Sequence, residues 1–312
     1  MPLATGMVKA VDRAREIGAS AMQIFTDNPT AWKRRAEPPP ELEAFRLRLD
    51  ELDIQPVSIH ASYLVNLAGS HPESYERSIE LLAHELRNAP TFGARFVNVH
   101  IGSHLGLGVA TGVRRLVDGI ERTLSMADAA AGVSAPAGER PMLVLENSAG
   151  SGGGLGASVH ELAAIAAGLA AIGIPDERVG FCLDTAHAWG AGVDMARPRA
   201  IDDFLATFDK RVGLARLVLV HLNDSRSERG SRTDRHEHLG AGRIGAAGLG
   251  HVLRHPSLAH ATYLVETPGM DVGYDAVNVA RAHALASGAP LEKLPAAAFD
   301  LRGSAKARTA PV

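Results

Sequence analysis

The residues able to do chemistry stand at the ends of short apolar runs. Such runs finish on, or just before, His60, His100, Glu146, Asp184, His221 and Glu266, and His187 follows soon after Asp184. The densest stretch is 217–240, LVLVHLNDSRSERGSRTDRHEHLG. It opens as a β-branched apolar run, reaches His221, turns through a basic, Ser-rich loop and delivers Asp234 and His236. A buried strand ending in His, followed by Asp-x-His, is suited to aim imidazoles and a carboxylate at metal ions. Taken alone, the same stretch also reads as a buried strand with a solvated charged loop.

The full set is more demanding. His60, His100, His187, His221 and His236 supply imidazoles, and Glu146, Asp184, Asp234 and Glu266 supply carboxylates. Four carboxylates crowded into one pocket repel unless cations or protons neutralise them. No Lys or Arg ends one of these runs, so divalent metal is the natural counter-charge. Mixed His and carboxylate ligation suits Zn²⁺, with Mn²⁺ or Fe²⁺ as substitutes. The set is too large for one tetrahedral ion and suits two or three.

These residues converge only if the chain brings the ends of its runs to one place. Strand-like runs at 21–25, 57–60, 96–100, 143–146, 179–184, 217–221 and 263–266 alternate with segments of helical period, such as 73–87, 113–131 and 159–171. That alternation favours a parallel sheet with crossover helices. The number and regular spacing of the runs point to an α/β fold of (β/α)₈ TIM-barrel type, with seven strands visible. In such a barrel all strand C-termini open onto one face, where active sites lie. No composition break marks a second domain, so 1–287 is expected to form one barrel domain. Segment 132–141, rich in Ala, Gly and Pro, reads as a surface loop. The tail 288–312 is weakly patterned and is expected to be peripheral or partly disordered.

Composition narrows the class. Hydrophobic residues make up 46% of the 312 residues, enough for a substantial core. No apolar stretch is long enough to span a membrane and no signal-peptide pattern opens the chain. The lone Cys182 lies in an apolar run and reads as an inert core thiol of a cytoplasmic protein. The net charge of −3 does not advertise a nucleic-acid binder. Local basic patches, Lys33-Arg34-Arg35 and Arg226, Arg229, Arg232 and Arg235, can still do that work.

The motifs resemble those of the endonuclease IV family of apurinic/apyrimidinic endonucleases. They are His60-Ala-Ser-Tyr63, Asn98-Val-His100-Ile-Gly-Ser-His104, Leu145-Glu146-Asn147, Cys182-Leu-Asp184-Thr-Ala-His187, His221-Leu-Asn223-Asp224-Ser and Gly230-Ser-Arg232-Thr-Asp234-Arg-His236. The resemblance runs from about Gly6 to about Glu266. It implies three Zn²⁺ per chain: one on His60, His100 and Glu146; one on Glu146, Asp184, His221 and Glu266; one on His187, Asp234 and His236. Three divalent ions against four carboxylates leave a positive pocket that attracts a phosphodiester. The implied reaction is hydrolysis of the phosphodiester 5′ to an abasic site in double-stranded DNA, leaving a 3′-hydroxyl and a 5′-deoxyribose phosphate. Glu146 and Glu266 are the implied catalytic residues. A monomer working on DNA in the cytoplasm is expected.

The resemblance also implies DNA contacts. Tyr63 and Leu64 match a pair that family members insert into the duplex at the lesion, where an aromatic and an aliphatic wedge fill the space of the lost base. Asn28, in a stretch that also matches, and the basic side chains Lys33, Arg34, Arg226, Arg229 and Arg232 are the other expected DNA-binding residues, the basic ones displacing counterions from phosphates. Some positions depart from the pattern. Thr30 stands where an Arg is common, so Lys33, Arg34 or Arg35 compensates or affinity is weaker. Ala241 stands where Glu is usual. Segment 2–6 corresponds to the turn that follows the family's first strand, so that strand is expected to be missing. Either the start codon lies upstream, or the barrel is open between its second and eighth strands. Two other functions compete. A sugar isomerase of the xylose-isomerase-like barrels would need a smaller, carboxylate-rich site with one or two ions. A catalytically impaired lesion binder would keep the surface and lose turnover.

Overall fold

Along each barrel strand the side chains alternate between two faces, and that alternation organises the molecule. The computed structural model describes residues 1, 3, 6–35, 37–131 and 140–300. Its main sheet contains β1 (Met22–Ile24), β2 (Val57–His60), β3 (Ala94–His100), β4 (Met142–Glu146), β5 (Val179–Asp184), β6 (Leu217–His221) and β9 (Thr262–Leu264), in that spatial order. Every neighbouring pair is parallel. One face of the strands carries Phe96, Val144, Cys182, Leu219 and Leu264, which pack as a small core inside the barrel. The other face carries residues such as Val97, Leu143, Leu145, Phe181 and Val220, which join the larger core beneath the helices.

The helices are those that amphipathic patterning requires. They are α1 (Met7–Glu16), α2 (Leu42–Leu52), α3 (Pro72–Asn88), α4 (Val109–Ala131), α5 (Val159–Ala171), the short α6 (Thr185–Gly190), α7 (Pro198–Arg211), α8 (Gly245–Arg254), α9 (Tyr274–Ser287) and α10 (Ala297–Asp300). Ser158 caps α5: its Oγ accepts from Glu161 N at 3.3 Å, while Glu161 Oε2 accepts from Gly156 N at 2.8 Å. Phe208 of α7 meets Phe181 of β5 edge-to-face at 5.9 Å, fixing that helix to the sheet.

Seven strands form the barrel sheet among the described residues, and no strand pairing closes it. β1 and β9 each pair on one side only. Both are shorter than the patterns at 21–25 and 263–266 predict, because a ladder on one side does not hold a strand's ends extended. Glu266 therefore lies beyond β9 rather than on it. Gln23 Nε2 donates to Glu266 Oε1 across the gap at 2.8 Å, and the Met1 amino group donates to the Gln23 carbonyl. A cavity of about 1040 Å³ runs from the barrel mouth along this gap, lined by Met22, His60, Thr262 and Leu264 among others.

Residues 288–300 of the tail pack on the barrel: Arg281 donates to the Glu292 carbonyl at 2.6 Å, His238 Nε2 to the Ala298 carbonyl at 3.0 Å, and Ala298 is buried. Buried polar side chains on the body satisfy the tail's carbonyls, a pairing that no local periodicity announces. Residues 301–312 of the tail and 132–139 of the 132–141 loop lie outside the described residues, as do positions 2, 4 and 5 of the segment matched to the missing strand's turn. No helix among the described residues is long and apolar enough to cross a membrane.

Candidate metal centre

Strand register carries the site. Asn98 and His100 pair with Val144 and Glu146, and Asp184 pairs with His221, so these positions share the C-terminal end of the sheet. His60, His100 and Glu146 bring one donor atom each within 4.8 Å of one another. Glu146, Asp184, His221 and Glu266 do the same, and so do Asp184, His187 and His236. Glu146 belongs to the first two groups. In the third group Asp184 stands where the resemblance implies Asp234. Asp234 adjoins that group: its carboxylate lies 2.9 Å from His236 Nε2 and 3.2 Å from His187 Nε2.

Three local devices aim these side chains. Asp184 Oδ1 accepts the His187 backbone N–H at 2.8 Å, capping α6 and placing His187 over the pocket. The loop carrying Asp234 is pinned to α6: Trp189 Nε1 donates to the Ser227 carbonyl, Gly230 N to the Trp189 carbonyl and Arg232 N to the Gly190 carbonyl. Asp234 and His236 then run into a small ribbon, β7 (Asp224–Ser225) against β8 (His236–Glu237). Asp224 anchors the ribbon by accepting from Ser225, Gly242, Ile244 and Gly245 N–H groups. A Cβ at Gly242 would come within 2.4 Å of Asp224 Oδ1, so this position must be glycine.

The imidazoles have their tautomers set. His60 Nδ1 donates to the Ala61 carbonyl at 2.7 Å, His187 Nδ1 to the Asn147 carbonyl at 2.8 Å and His236 Nδ1 to the Glu266 carbonyl at 2.7 Å. Each neutral ring then presents a lone pair at Nε2, the arrangement metal-binding imidazoles use. His236 Nε2 is buried and, though close to Asp234, is out of line for a hydrogen bond. His221 is reversed. Its Nε2 lies 3.3 Å from Gln23 Oε1, while Nδ1 faces Glu146 and Glu266, each at 3.3 Å.

The charges fit divalent cations. Glu146 and Asp184 are fully buried, and the charged partners of the four carboxylates are the site's own imidazoles. Burial works to raise the Glu146 carboxyl, but His221 and His100 outweigh it and hold it well below the usual range. Burial likewise opposes ionisation of Glu266, yet His221 brings it down to about 2. Against burial, Asp184 and Asp234 hold His187 well above its ordinary value, and Asp234 and Asp184 lift His236 to about 9. Protons on imidazoles thus balance the carboxylates, a role that bound metal ions would take over with proton release. An orphaned Nε2, fixed tautomers and crowded carboxylates are what a divalent-metal donor set requires.

Several supporting residues had no role assigned from the sequence, although Asn98, Asn147 and Asn223 stand in its motifs. Asn98 Nδ2 donates to Glu146 Oε2 at 2.6 Å, and Asn223 Nδ2 to Asp184 Oδ2 at 2.7 Å. Asn147 Oδ1 accepts from Asp184 N at 2.6 Å. Gln23, on the edge strand, holds Glu266 and faces His221. Alternation by two along β3 is the available signal for Asn98; nothing local marks Gln23. Cys182 is a buried thiol pushed up to about 12 by burial, and its sulfur adjoins Glu146 and His221.

The expected DNA-facing residues divide. Tyr63 is 57% exposed, with its ring set against Phe25 and His60 at 5.4 Å each; it is not a core tyrosine. Leu64 beside it is half-buried. Pro29 ties this loop to its neighbour by accepting from Tyr63 N and Ser62 Oγ. Asn28 is exposed, and its Oδ1 accepts from Thr30 N and Thr30 Oγ1. Lys33, Arg229 and Arg232 are exposed, with Arg229 paired to Asp194 at 2.5 Å. Arg226 is half-buried. Arg34 differs from the solvated patch expected of it. It is turned inward, 8% exposed, with its guanidinium 3.5 Å from buried Glu85, whose charge needs a partner.

The fold and the pocket define a TIM-barrel enzyme with a His- and carboxylate-rich mouth. The family model of the xylose isomerase-like TIM barrel matches residues 11–289. "Probable endonuclease 4" of Methanoculleus marisnigri is 39% identical over 285 residues, covering 91% of this chain and 96% of that protein. The crystal structure of endonuclease IV from Thermus thermophilus superposes with a TM-score of 0.76 at 37% identity, covering 93% of this chain and 98% of that one. The chain belongs to the endonuclease IV family of xylose isomerase-like TIM barrels and is an endonuclease. A D-tagatose 3-epimerase-like protein matches at TM-score 0.62 and 17% identity, covering 88% of this chain and 92% of that one; this likeness shows the fold alone.

Proposed function

We propose that this endonuclease acts on abasic sites in double-stranded DNA, hydrolysing the phosphodiester 5′ to the lesion to leave a 3′-hydroxyl and a 5′-deoxyribose phosphate. It would act as a cytoplasmic monomer with three Zn²⁺. His60, His100 and Glu146 would hold one ion, Glu146, Asp184, His221 and Glu266 a second, and His187, Asp234 and His236 a third, with Asp184 close to the last group. Bound there, divalent cations supply Lewis acidity, neutralising phosphate charge and easing deprotonation of water. The observation that carries the reading is the set of Nδ1–H bonds from His60, His187 and His236 to backbone carbonyls, which leaves three Nε2 atoms facing carboxylates, each a metal donor once it carries no proton.

The chain's residues do the rest. Glu266 is held at Oε1 by Gln23 and lies 3.5 Å from Asn223 Nδ2 through Oε2, so its carboxylate is oriented before substrate arrives. With Glu146 it orients the attacking water and holds the proton that leaves it. Tyr63 and Leu64 fill the stack beside the lesion, where a missing base lowers the cost of turning the sugar outward. Asn28, Lys33, Arg229 and Arg232 contact the backbone, with Arg226 behind them.

The test is cleavage of an end-labelled synthetic abasic duplex, paired with metal analysis of the same sample. Cleavage on the 5′ side that chelator abolishes and Zn²⁺ restores is expected, with near three ions per chain at the barrel mouth. Binding without turnover by metal-replete protein would overturn the reading.

A further inference from the structure

Outside the barrel mouth, one more group of side chains gathers metal-capable atoms. Asp202 stands on α7; His251 stands on α8, and His255 directly follows that helix. A spacing of four puts the two imidazoles on one helical face. His251 Nε2 lies 2.5 Å from Asp202 Oδ1, His255 Nε2 lies 3.5 Å from the same oxygen, and the ring centroids are 5.7 Å apart. The three donor atoms all fall within 4.8 Å of one another. Among the described residues the ion-pair partners of Asp202 are these two imidazoles, with no Lys or Arg competing.

We propose that Asp202, His251 and His255 form a second, surface metal site that takes one divalent transition ion such as Zn²⁺ or Ni²⁺. Two imidazole nitrogens and one carboxylate oxygen suit ions of that borderline class, and water completes the coordination because Asp202 is half exposed. The site is preorganised by the backbone. Gly248 of α8 lies so close to the segment before α7 that a Cβ there would come within 1.9 Å of the Met195 carbonyl. Small adjustments make room for the ion. Ligands on a tetrahedral Zn²⁺ stand roughly 3.3 Å apart, given metal–ligand distances of about 2.0–2.1 Å. Asp202 and His251 must therefore separate by somewhat less than ~1 Å from their hydrogen-bonded distance, which rotation of an exposed carboxylate allows. Binding through His255 Nε2 leaves Nδ1 protonated, so the 3.3 Å contact that Ser257 N–H donates to it is given up.

The consequence is mechanical. The bound ion ties α7 to the end of α8, the segment that leads through Pro256–Leu258 into edge strand β9. It fastens from outside a strand that has a partner on one side only. This inference does not rest on the nuclease reading, since none of the three residues belongs to the barrel-mouth groups.

The experiment compares wild-type protein with the His251→Ala and Asp202→Asn variants, all first loaded with Zn²⁺ at the barrel mouth. Equilibrium dialysis against Zn²⁺ counts bound ions, and thermal unfolding is followed over the same titration. Wild-type protein is expected to bind one further ion and to gain melting temperature as it does. Both variants should lose that ion or bind it at least ~10-fold more weakly, since loss of an outer-shell partner alone costs about 10–100-fold. Their abasic-duplex cleavage and their melting temperature without added metal should match wild type within the effect of the missing ion pair. Asp202→Asn preserves shape and guards against a folding defect in His251→Ala. Identical ion counts and isotherms for wild type and both variants would overturn the proposal, as would a wild-type count no higher than the barrel mouth accounts for.

Discussion

Asp184 serves His187 twice. Its Oδ1 accepts the His187 backbone N–H at 2.8 Å, which starts α6, and its carboxylate shares a metal-capable group with the His187 imidazole. Asn223 holds Oδ2 at 2.7 Å, so the carboxylate has one orientation for both tasks. Helix start and site geometry therefore depend on one side chain.

The two roles are separable. Asp184→Asn keeps an oxygen for the cap and removes the charge; Asp184→Ala removes both. In chelator, and in an Asn223→Ala background that leaves no amide donor opposing the new Nδ2, the Asn variant should be more stable than the Ala variant by about 0.5–2 kcal/mol, the usual worth of an N-cap. Both should bind less metal. Denaturant unfolding and metal analysis check the pair, and equal stability of the two would mean that the cap contributes nothing.

Glu266→Gln should leave the fold intact and lower abasic-site cleavage by about 10²-fold or more, as loss of an oriented charge in a catalytic zone typically does. The Gln23 side chain can still hydrogen-bond the amide, so unfolding should change little. Near-full activity at saturating Zn²⁺ would exclude Glu266 from the mechanism.

DNA binding should weaken steeply with salt despite the net charge of −3. Removing one cation that neutralises a phosphate should flatten the log–log slope by about 0.9. The double variant Arg229→Gln, Arg232→Gln should therefore flatten it by up to about 2. Arg34→Gln should act on stability instead, because its guanidinium faces Glu85 and not solvent. Filter binding over a salt series decides, and an unchanged slope in the double variant would place the DNA elsewhere.

Glu85 provides a pH prediction. Burial raises its carboxyl above the ordinary value, outweighing the Thr26 hydroxyl, which donates at 2.6 Å, and the charge of Arg34. The folded protein thus holds this proton more tightly than the unfolded chain. The stability contributed by protonated Glu85 is complete below the unfolded carboxyl's pKa of about 4.3 and is lost as pH rises through the folded value. Unfolding free energies of wild type relative to Glu85→Gln should fall as pH rises through that window and then level off. A difference that rises with pH would contradict the assignment.

Much of the site was legible along the chain, because what places it is local. Side chains in a strand alternate, so an apolar run ending in His100, Glu146, Asp184 or His221 already states which face the residue shares with Asn98, Val144, Cys182 or Leu219. Parallel strands in a barrel share one mouth, and the seven runs foretold seven strands. Tertiary structure decided what depends on contacts between distant segments. It brought Gln23 to Glu266 and Asn223 to Asp184. It also turned Arg34 from a basic patch towards Glu85 and docked residues 288–300 through His238 and Arg281. Asp202 likewise meets His251 and His255 only because α7 and α8 lie side by side. Periodicity and caps are written in neighbouring residues, whereas hydrogen bonds between remote side chains exist only once the packed chain has chosen their partners.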